Sequence, residues 1–566
     1  MTWYLTNLAR FKAERQGLEA LGLSAEWCTP IGWRIDENMR LIFDADITVD
    51  QRVFPVFLRF PERFPHSPPS LWPRGDNTRW SNHQFGAGGE LCLEYGPDNW
   101  TRDMTGVQMI ESAHRLLEGE SPRSKEGGVV ASRHVDTLGQ RLRGETLRLL
   151  VTREFATFAD GVPVGVKLKG NLLSCFRKPG AFIYLIDSVT LPDKSTWRDV
   201  GVPDSLGFEV SEREAFILRV EPSAPLPATN NYEAYAAGCA ALGFLPEERS
   251  VIILRGSEIS GFFAFRDNSD AFRLATIPPE PVKQRLDPAH HTLAARNVAI
   301  VGCGSVGSKV GAMLARSGVG QFLLVDSDVL LPDNMVRHDL DWRDVGAHKA
   351  DGLARRIKNV RPSARIQVRR LKLAGQESGG DADTALSALA KCDLIVDATA
   401  NSEVLNLISA VSSDAKNPVL WAKVFGGGVG GVIARSRPGI EPPPQLMRRS
   451  IENWFREKNV TPFQQTVDYG GQRGEGDPYI ADDADVTAIA APAARLAIDT
   501  LLVRNPSHFP HSAYAIGLAP GLVFGQPFET FPIEIGTPPP EPEVATLSTE
   551  DAGQEFGLIV KLFEPK

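Results

Sequence analysis

Residues 298–349 read VAIVGCGSVGSKVGAMLARSGVGQFLLVDSDVLLPDNMVRHDLDWRDVGAHK, and this stretch decides the fold. It opens on an apolar run, Val298 to Val301, short and β-branched enough for a buried parallel strand. Gly302-Cys303-Gly304-Ser305-Val306-Gly307 follows at once, and then a helical pattern through Ala315 with its apolar positions on one side. A second apolar strand, Phe322 to Val325, ends in Asp326 about 20 positions beyond the glycines. The pattern is a βαβ unit with a glycine-rich first turn, the fingerprint of mononucleotide binding. The glycines let backbone N–H groups approach a phosphate at a helix N-terminus, and Asp326 is placed to accept from ribose hydroxyls.

That fingerprint alone fits an NAD-dependent enzyme equally well. It is not a Walker loop, because Gly307 is followed by Ser308-Lys309 in place of Lys-Ser/Thr. Asp328, Asn334, Arg337 and Lys349 lie just beyond the second strand, where a dehydrogenase needs nothing to hold a triphosphate. An adenylating enzyme does need it, since a carboxylate attacks the α-phosphate and the departing pyrophosphate must be neutralised. Here the chain resembles the ubiquitin-activating family and its bacterial ThiF/MoeB-like relatives that adenylate sulfur-carrier proteins. GCGSVGS at 302–308, DSD at 326–328, DNMVRH at 333–338, GAHKA at 346–350 and DATAN at 397–401 stand in the family's order. The match covers roughly residues 290 to 535.

The resemblance implies ATP and Mg2+ as cofactors. It places Gly302, Gly304, Gly307, Asp326, Asp328, Asn334, Arg337, Lys349 and Asp397 around the nucleotide, with Arg337 and Lys349 countering charge at the reacting phosphate. Three departures stand out. The family's second acid of Asp-x-x-Asp-Asn is Ala400 here, which leaves Asp397 and Asp328 as the metal candidates. His338 stands where the family has Gln. No cysteine follows Cys392, so the second catalytic cysteine of activating enzymes, expected near the glycine-rich stretch 469–478, is missing.

The N-terminal part, residues 1–143, carries another pattern. An opening amphipathic helix over Trp3 to Leu21 precedes strands around Trp33–Ile35, Leu41–Ile47 and Val53–Phe60. A proline-rich crossing at 64–73 follows, then Asn82-His83-Gln84, Gly89-Glu90-Leu91-Cys92-Leu93, Trp100 and a helix from Met104 to Glu118. This order resembles a ubiquitin-conjugating enzyme, in which the corresponding cysteine accepts the modifier as a thioester. A thiolate is nucleophilic and a thioester stays reactive to amines, so Cys92 can take and then pass on an acyl group. The family's His-Pro-Asn is replaced by Ser81-Asn82-His83-Gln84. Asn82 is either an oxyanion donor or a turn residue.

Residues 144–290 show strand patterns at 162–169, 181–188, 214–220 and 251–254 and a helix at 232–242, an α/β spacer without recognisable catalytic residues. His290-His291 is a metal pair or a polar linker end. Residues 291–536 form the Rossmann-like ThiF-type adenylation domain, with further elements expected at 393–398 and 485–502, and 537–566 a Pro-rich tail that serves as linker or docking arm.

At 566 residues the chain has room for three or four domains, and the architecture expected is α/β multidomain. A net charge of −9 without long Lys/Arg runs argues against nucleic acid as partner. No apolar span reaches membrane length and no signal-peptide profile opens the chain. The six cysteines lack any C-x-x-C pair, which excludes the usual structural zinc and fits a reduced, cytoplasmic setting. Activating and conjugating halves in one chain resemble the bacterial fusions of antiphage CBASS and ubiquitin-like conjugation operons. By that resemblance the partner is the C-terminus of a ubiquitin-like protein or a cGAS-like nucleotidyltransferase, the acceptor is a target amine, and the chain is a homodimer. A scaffold that binds the partner without activating it is the alternative, favoured by Ala400 and the missing cysteine.

Overall fold

The computed structural model describes residues 2–75, 79–81, 83–86, 88–121, 130, 137–177, 180–202, 210–229, 231–265, 270–279, 286–375, 379–460, 470–473, 477–540 and 548–563. The chain divides into two compact units, Met1–Gly144 and Glu145–Lys566.

The first unit runs α1 (Trp3–Thr6), α2 (Leu8–Ser24), β1 (Cys28–Ile35), β2 (Leu41–Val49), β3 (Arg52–Arg59), β4 (Ser70–Pro73), α3 (Gly106–Gly119) and the short α4 (Leu138–Arg141). The four strands form an antiparallel meander in sequence order. Alternation along β2 sends Phe43, Ala45, Ile47 and Val49 into one core with Val56 and Leu58 of β3 and Ile110 and Ala113 of α3. The opening helix, expected unbroken over 3–21, is interrupted at Asn7, whose side chain accepts the Arg10 N–H at 3.1 Å as an N-cap. Leu5 and Leu8 are consequently exposed, while Leu18 and Leu21 are buried. The buried Glu14 carboxylate accepts from Arg10 Nε at 2.8 Å and from the Gly106 N–H at 2.7 Å. It thereby fastens α2 to the positive end of α3.

The second unit opens with β5 (Leu147–Leu150), α5 (Arg153–Asp160), β6 (Lys167–Arg177), β7 (Ala181–Thr190), β8 (Thr196–Arg198), β9 (Val210–Val220), α6 (Tyr232–Ala241), β10 (Ser250–Arg255), β11 (Glu258–Ala264) and β12 (Ala271–Ile277). β5 bonds both β12 and β7, so the order β5-β12-β11-β10-β9-β6-β7 closes on itself, with β8 beside β7. The spacer is thus dominated by a closed ring of strands. Leu149, Tyr184, Ile217 and Ile252 share its core with Phe155 of α5. The strand expected from Val162 starts only at Lys167, because residues 161–166 turn back, with the Gly161 N–H bonded to the Phe158 carbonyl and the Val166 N–H to that of Pro163.

Then come β13 (Asn297–Val301), α7 (Ser305–Ser317), β14 (Gln321–Val325), α8 (Lys349–Val360), β15 (Arg365–Arg369), α9 (Gly379–Leu389), β16 (Leu394–Asp397), α10 (Ser402–Ala415), β17 (Val419–Phe425), β18 (Gly430–Ser436), α11 (Pro444–Glu457), β19 (Gly470–Arg473), β20 (Asp477–Ile480), α12 (Asp483–Leu501), β21 (Ala513–Gly517) and β22 (Thr530–Pro532). One sheet has the order β15-β14-β13-β16-β17-β18-β21-β22, its first five strands parallel and the rest antiparallel. Both faces are covered, so strands read as unbroken apolar runs. Val298 and Ile300 of β13 face α7, α8 and α12; Ala299 and Val301 face α9, α10 and α11. The strand order reverses between β13 and β16, which opens a crevice at their carboxyl ends.

The glycine-rich stretch at 469–478 lies partly outside the described residues; β19 and β20 pair as a hairpin there. Within the expected Pro-rich tail stands a helix, α13 (Thr549–Leu562), that the proline content concealed. Among the described residues no helix is long and apolar enough to cross a membrane.

Candidate functional site

The glycine loop sits at the mouth of the crevice. Gly302 has φ 86°, and its N–H is bound to the Val325 carbonyl at 2.9 Å. A Cβ on Gly307 would lie 1.8 Å from the Gly302 carbonyl oxygen. These two positions therefore demand glycine on backbone grounds alone. Gly304 differs: a Cβ there would meet nothing within 4 Å. It is the N-cap of α7 and offers no side-chain cap. The first turn of α7 is thus left without a side-chain cap, the arrangement that receives a phosphate.

Asp326 follows β14 and braces this loop. One carboxylate oxygen accepts the Cys303 N–H at 2.7 Å and the other accepts the Asp328 N–H at 2.7 Å. Burial raises its pKa against the pull of those two bonds. Asn334 lies in a 3-10 turn at Pro332–Val336; its side-chain oxygen accepts the Leu331 N–H at 3.1 Å and its carbonyl accepts from Arg337 and His338. Arg337 ends that turn and is half-buried. Lys349 is the first residue of α8, and its ammonium pairs with Asp328 at 2.9 Å. Glycine loop, Asp326, Asp328 and Lys349 are therefore tied by direct bonds. Lys309, whose position excluded a Walker loop, pairs with Asp483 of α12 at 2.5 Å.

His338 does more than its sequence position suggested. Its Nδ1 accepts the Leu340 N–H at 3.2 Å, which puts the proton on Nε2, and Nε2 donates to the Cys303 carbonyl at 2.9 Å. Burial pushes its pKa down to about 4, so the ring is neutral at physiological pH. Together with Asp326 it holds both polar groups of Cys303. The departure from Gln was the only sequence signal for it.

Asp397 ends β16 and is 3% exposed. Its Oδ1 accepts the Thr399 N–H at 2.9 Å and the Thr399 hydroxyl at 2.6 Å. Burial pushes its pKa up to about 6, opposed by these bonds. The turn it holds presses on the glycine loop, because a Cβ on Gly302 would lie 2.9 Å from Thr399 Cγ2 and 3.0 Å from the Ala398 carbonyl carbon. Ala400 in this turn has φ 55°. The two residues expected as metal ligands stand on different strands. Asp328 follows β14 and Asp397 ends β16, two strands apart in the sheet or about 10 Å at the usual spacing. Each already has a partner, and among the described residues no three His, Cys, Asp or Glu side chains group around a metal. His290 and His291 bond the Ser317 and Pro288 carbonyls, as a linker end would.

In the first unit, Leu91 and Leu93 are buried and Cys92 between them is half-buried. An isolated bridge, Gln84 to Leu91, fixes the segment, and the Cys92 N–H bonds the His83 carbonyl at 2.7 Å. His83 Nε2 meets the Val130 carbonyl at 3.0 Å and lies 3.8 Å from Glu120. Asn82 lies outside the described residues. Of the six cysteines Cys92 alone is not buried. Burial pushes the Cys28 thiol to about 11 and that of Cys392 to about 12, and raises Cys239 and Cys303 as well.

Comparison with known proteins bears on the second unit. Residues 283–443 match the model of the ThiF family. The chain is 28% identical over 241 residues to the "ATP-dependent ubiquitin transferase-like protein Cap2" of Pseudomonas aeruginosa, covering 34% of this chain and 42% of that protein. It is 26% identical over 227 residues to the protein of the same name from Escherichia coli, covering 36% and 35% respectively. It is 29% identical over 129 residues to the "Probable adenylyltransferase/sulfurtransferase MoeZ" of Mycobacterium tuberculosis, covering 23% and 31%. The matched stretch thus spans less than half the length of these curated relatives. The second unit thus holds a Rossmann-like α/β sheet within a region similar to the ThiF family.

Proposed function

We propose that this protein uses ATP to adenylate the C-terminal carboxylate of a partner protein, takes the acyl group onto Cys92 as a thioester, and passes it to an amine of a target. The observation that carries the reading is the uncapped N-terminus of α7 behind Gly304, with Asp326, Asp328 and Lys349 tied to the loop by direct bonds. The carboxylate oxygen attacks the α-phosphorus, the bond to the bridging oxygen breaks, and pyrophosphate leaves. Backbone N–H groups of the loop and the cations of Arg337 and Lys349 counter the charge that develops. The Cys92 thiolate then displaces AMP from the acyl carbon, and a target amine displaces Cys92. Any Mg2+ enters with the triphosphate.

The helix–meander–helix order of the first unit, with its half-buried Cys92, supports the conjugating half. The partner is a ubiquitin-like protein or a cGAS-like nucleotidyltransferase, within the antiphage setting implied by the sequence resemblance. The test is an adduct assay with ATP and the partner proteins encoded beside this gene. Wild type should form a single thiol-sensitive adduct, Cys92→Ala none, and Cys92→Ser a thiol-resistant ester. A thiol-sensitive adduct persisting in Cys92→Ala would overturn the assignment of the carrier. Ala400 favours a second reading, a scaffold that binds the partner without activating it; that reading predicts partner binding with no adduct in any variant.

A further inference from the structure

Cys92 stands on a small hairpin whose register two backbone bonds define. The Cys92 N–H donates to the His83 carbonyl at 2.7 Å and the Phe85 N–H to the Glu90 carbonyl at 2.9 Å. Between them Gln84 and Leu91 are an opposed antiparallel pair, and both are buried. The Gln84 side chain accepts the Trp80 N–H at 2.8 Å and donates to the Gly89 carbonyl at 3.0 Å, while the Leu91 N–H is bonded to Leu71 of β4. A slip of one residue would turn these two outward, so the register is pinned. The next pair, His83 and Cys92, therefore carries its side chains on one shared face, with Cα atoms about 5.5 Å apart. From there an imidazole nitrogen reaches the sulfur by side-chain rotation alone.

The bonds of the His83 ring decide which nitrogen that is. Nε2 lies 3.0 Å from the Val130 carbonyl oxygen, which can only accept, so Nε2 carries the proton. Glu120, at the end of α3, lies 3.8 Å from the same nitrogen. The two side chains are 13% and 10% exposed, so solvent screens their attraction little. Nδ1 is left as the basic nitrogen, without a bonded partner among the described residues. Nucleophile, imidazole and carboxylate thus follow one another in the order that activates a cysteine.

We infer that His83 is the base that serves Cys92, its Nδ1 taking the thiol proton while Glu120 attracts the imidazolium from the far side. The inference rests on the reading of Cys92 as acyl carrier given above. In the first transfer the Sγ–H proton passes to Nδ1 and the thiolate attacks the acyl carbon of the adenylate. The carbon–oxygen bond to the phosphate breaks, AMP leaves, and the imidazolium returns its proton to water. In the second, Nδ1 takes a proton from the attacking amine nitrogen while the C–S bond breaks and Cys92 departs as thiolate.

The probe is iodoacetamide on the intact chain without ATP or partner, with Cys92 followed by peptide mass mapping. At pH 7 only a few per cent of an ordinary thiol is ionised, whereas at pH 10 nearly all of it is. His83→Gln should therefore slow alkylation about 3- to 10-fold at pH 7 and leave it unchanged at pH 10. Glu120→Gln, which leaves the hairpin untouched, should show a smaller loss with the same pH dependence. Glu90 and Glu94 alternate with Cys92 along its strand and disfavour a thiolate; Arg59 attracts Glu90, and Arg115 bonds Glu94 at 2.6 Å. Arg79 bonds the Ser81 carbonyl at 3.1 Å. None of these five changes in the variants. Equal rates at pH 7 in wild type and both variants overturn the inference. A His83→Gln rate that also differs at pH 10 reports a displaced hairpin, and Glu120→Gln then decides: a loss confined to pH 7 upholds the pair, and no loss overturns it. A pH-dependent loss without any adduct from ATP and partner upholds the pair and overturns the carrier reading. An adduct without that loss does the reverse.

Discussion

Exchanging Gly304 and Gly307 for alanine, one at a time, separates what the loop needs for folding from what it needs for a ligand. In Gly307→Ala the new Cβ would sit 1.8 Å from the Gly302 carbonyl oxygen, so loop and helix start must part by more than 1 Å to reach an ordinary contact. That carbonyl cannot swing aside freely, since the Gly302 N–H is bound to Val325 and the next residue is held by Asp326 and His338. Overpacking of this kind costs about 1–3 kcal/mol. Hydrogen exchange of amides 302–310 should then speed up by about 5- to 150-fold. In Gly304→Ala the Cβ meets no atom within 4 Å and φ is an ordinary −75°. Alanine at an N-cap costs below about 1 kcal/mol, so exchange should barely change. ATP should nevertheless bind more weakly, because the methyl group occupies the space in front of the first N–H groups of α7. Losing one hydrogen bond to a charged group, about 1.5–3 kcal/mol, corresponds to about 10- to 150-fold in Kd by calorimetric titration. A Gly304→Ala protein that binds ATP like wild type would refute the assignment of that open space to phosphate. An unperturbed Gly307→Ala would refute the packing argument.

Asp397→Asn should stabilise the second unit above pH 6 and not below about pH 4. The folded carboxyl titrates near 6 against an ordinary 3.8, so the fold gains stability as pH falls between those values and carries the full penalty above them, about 3 kcal/mol; unfolding midpoints at pH 4 and pH 8 check it. Asp499→Ala should cost about 3–5 kcal/mol in equilibrium denaturation, because it strands the guanidinium of Arg435, 1% exposed and bonded to Asp499 at 2.7 Å. Iodoacetamide should alkylate Cys92 alone in the native protein, and a second modified cysteine found by peptide mass mapping before unfolding would contradict the burial of the other five.

The nucleotide half was legible because each of its signals is local. Val298 to Val301 is apolar on both faces, as a strand between two helical layers must be, and Gly302 and Gly307 are required by backbone contacts inside a six-residue turn. What escaped the sequence depends on residues far apart in the chain. The closure of β5 onto both β12 and β7 joins Leu147 to Phe182 and Arg148 to Ala275, and no local pattern announces such a pairing. His338 appeared only as a substitution; its bond to Cys303 spans 35 residues. Lys423 shows its setting only once β17 places it in a row of core residues. The break at Asn7 hid for the opposite reason, because Leu5 and Leu8 keep helical spacing with Leu18 and Leu21 while the helix they seemed to share is two helices.

The central claim, that the crevice between β13 and β16 activates a carboxylate with ATP, is tested most directly by ATP–pyrophosphate exchange. The intact chain is assayed with and without the partner proteins encoded beside its gene. Exchange should appear only with a partner that has a free C-terminal carboxylate, fall about 10²–10³-fold in Lys349→Ala, and persist in Cys92→Ala. Exchange that ignores Lys349 would contradict the account, as would a partner that binds while pyrophosphate never exchanges.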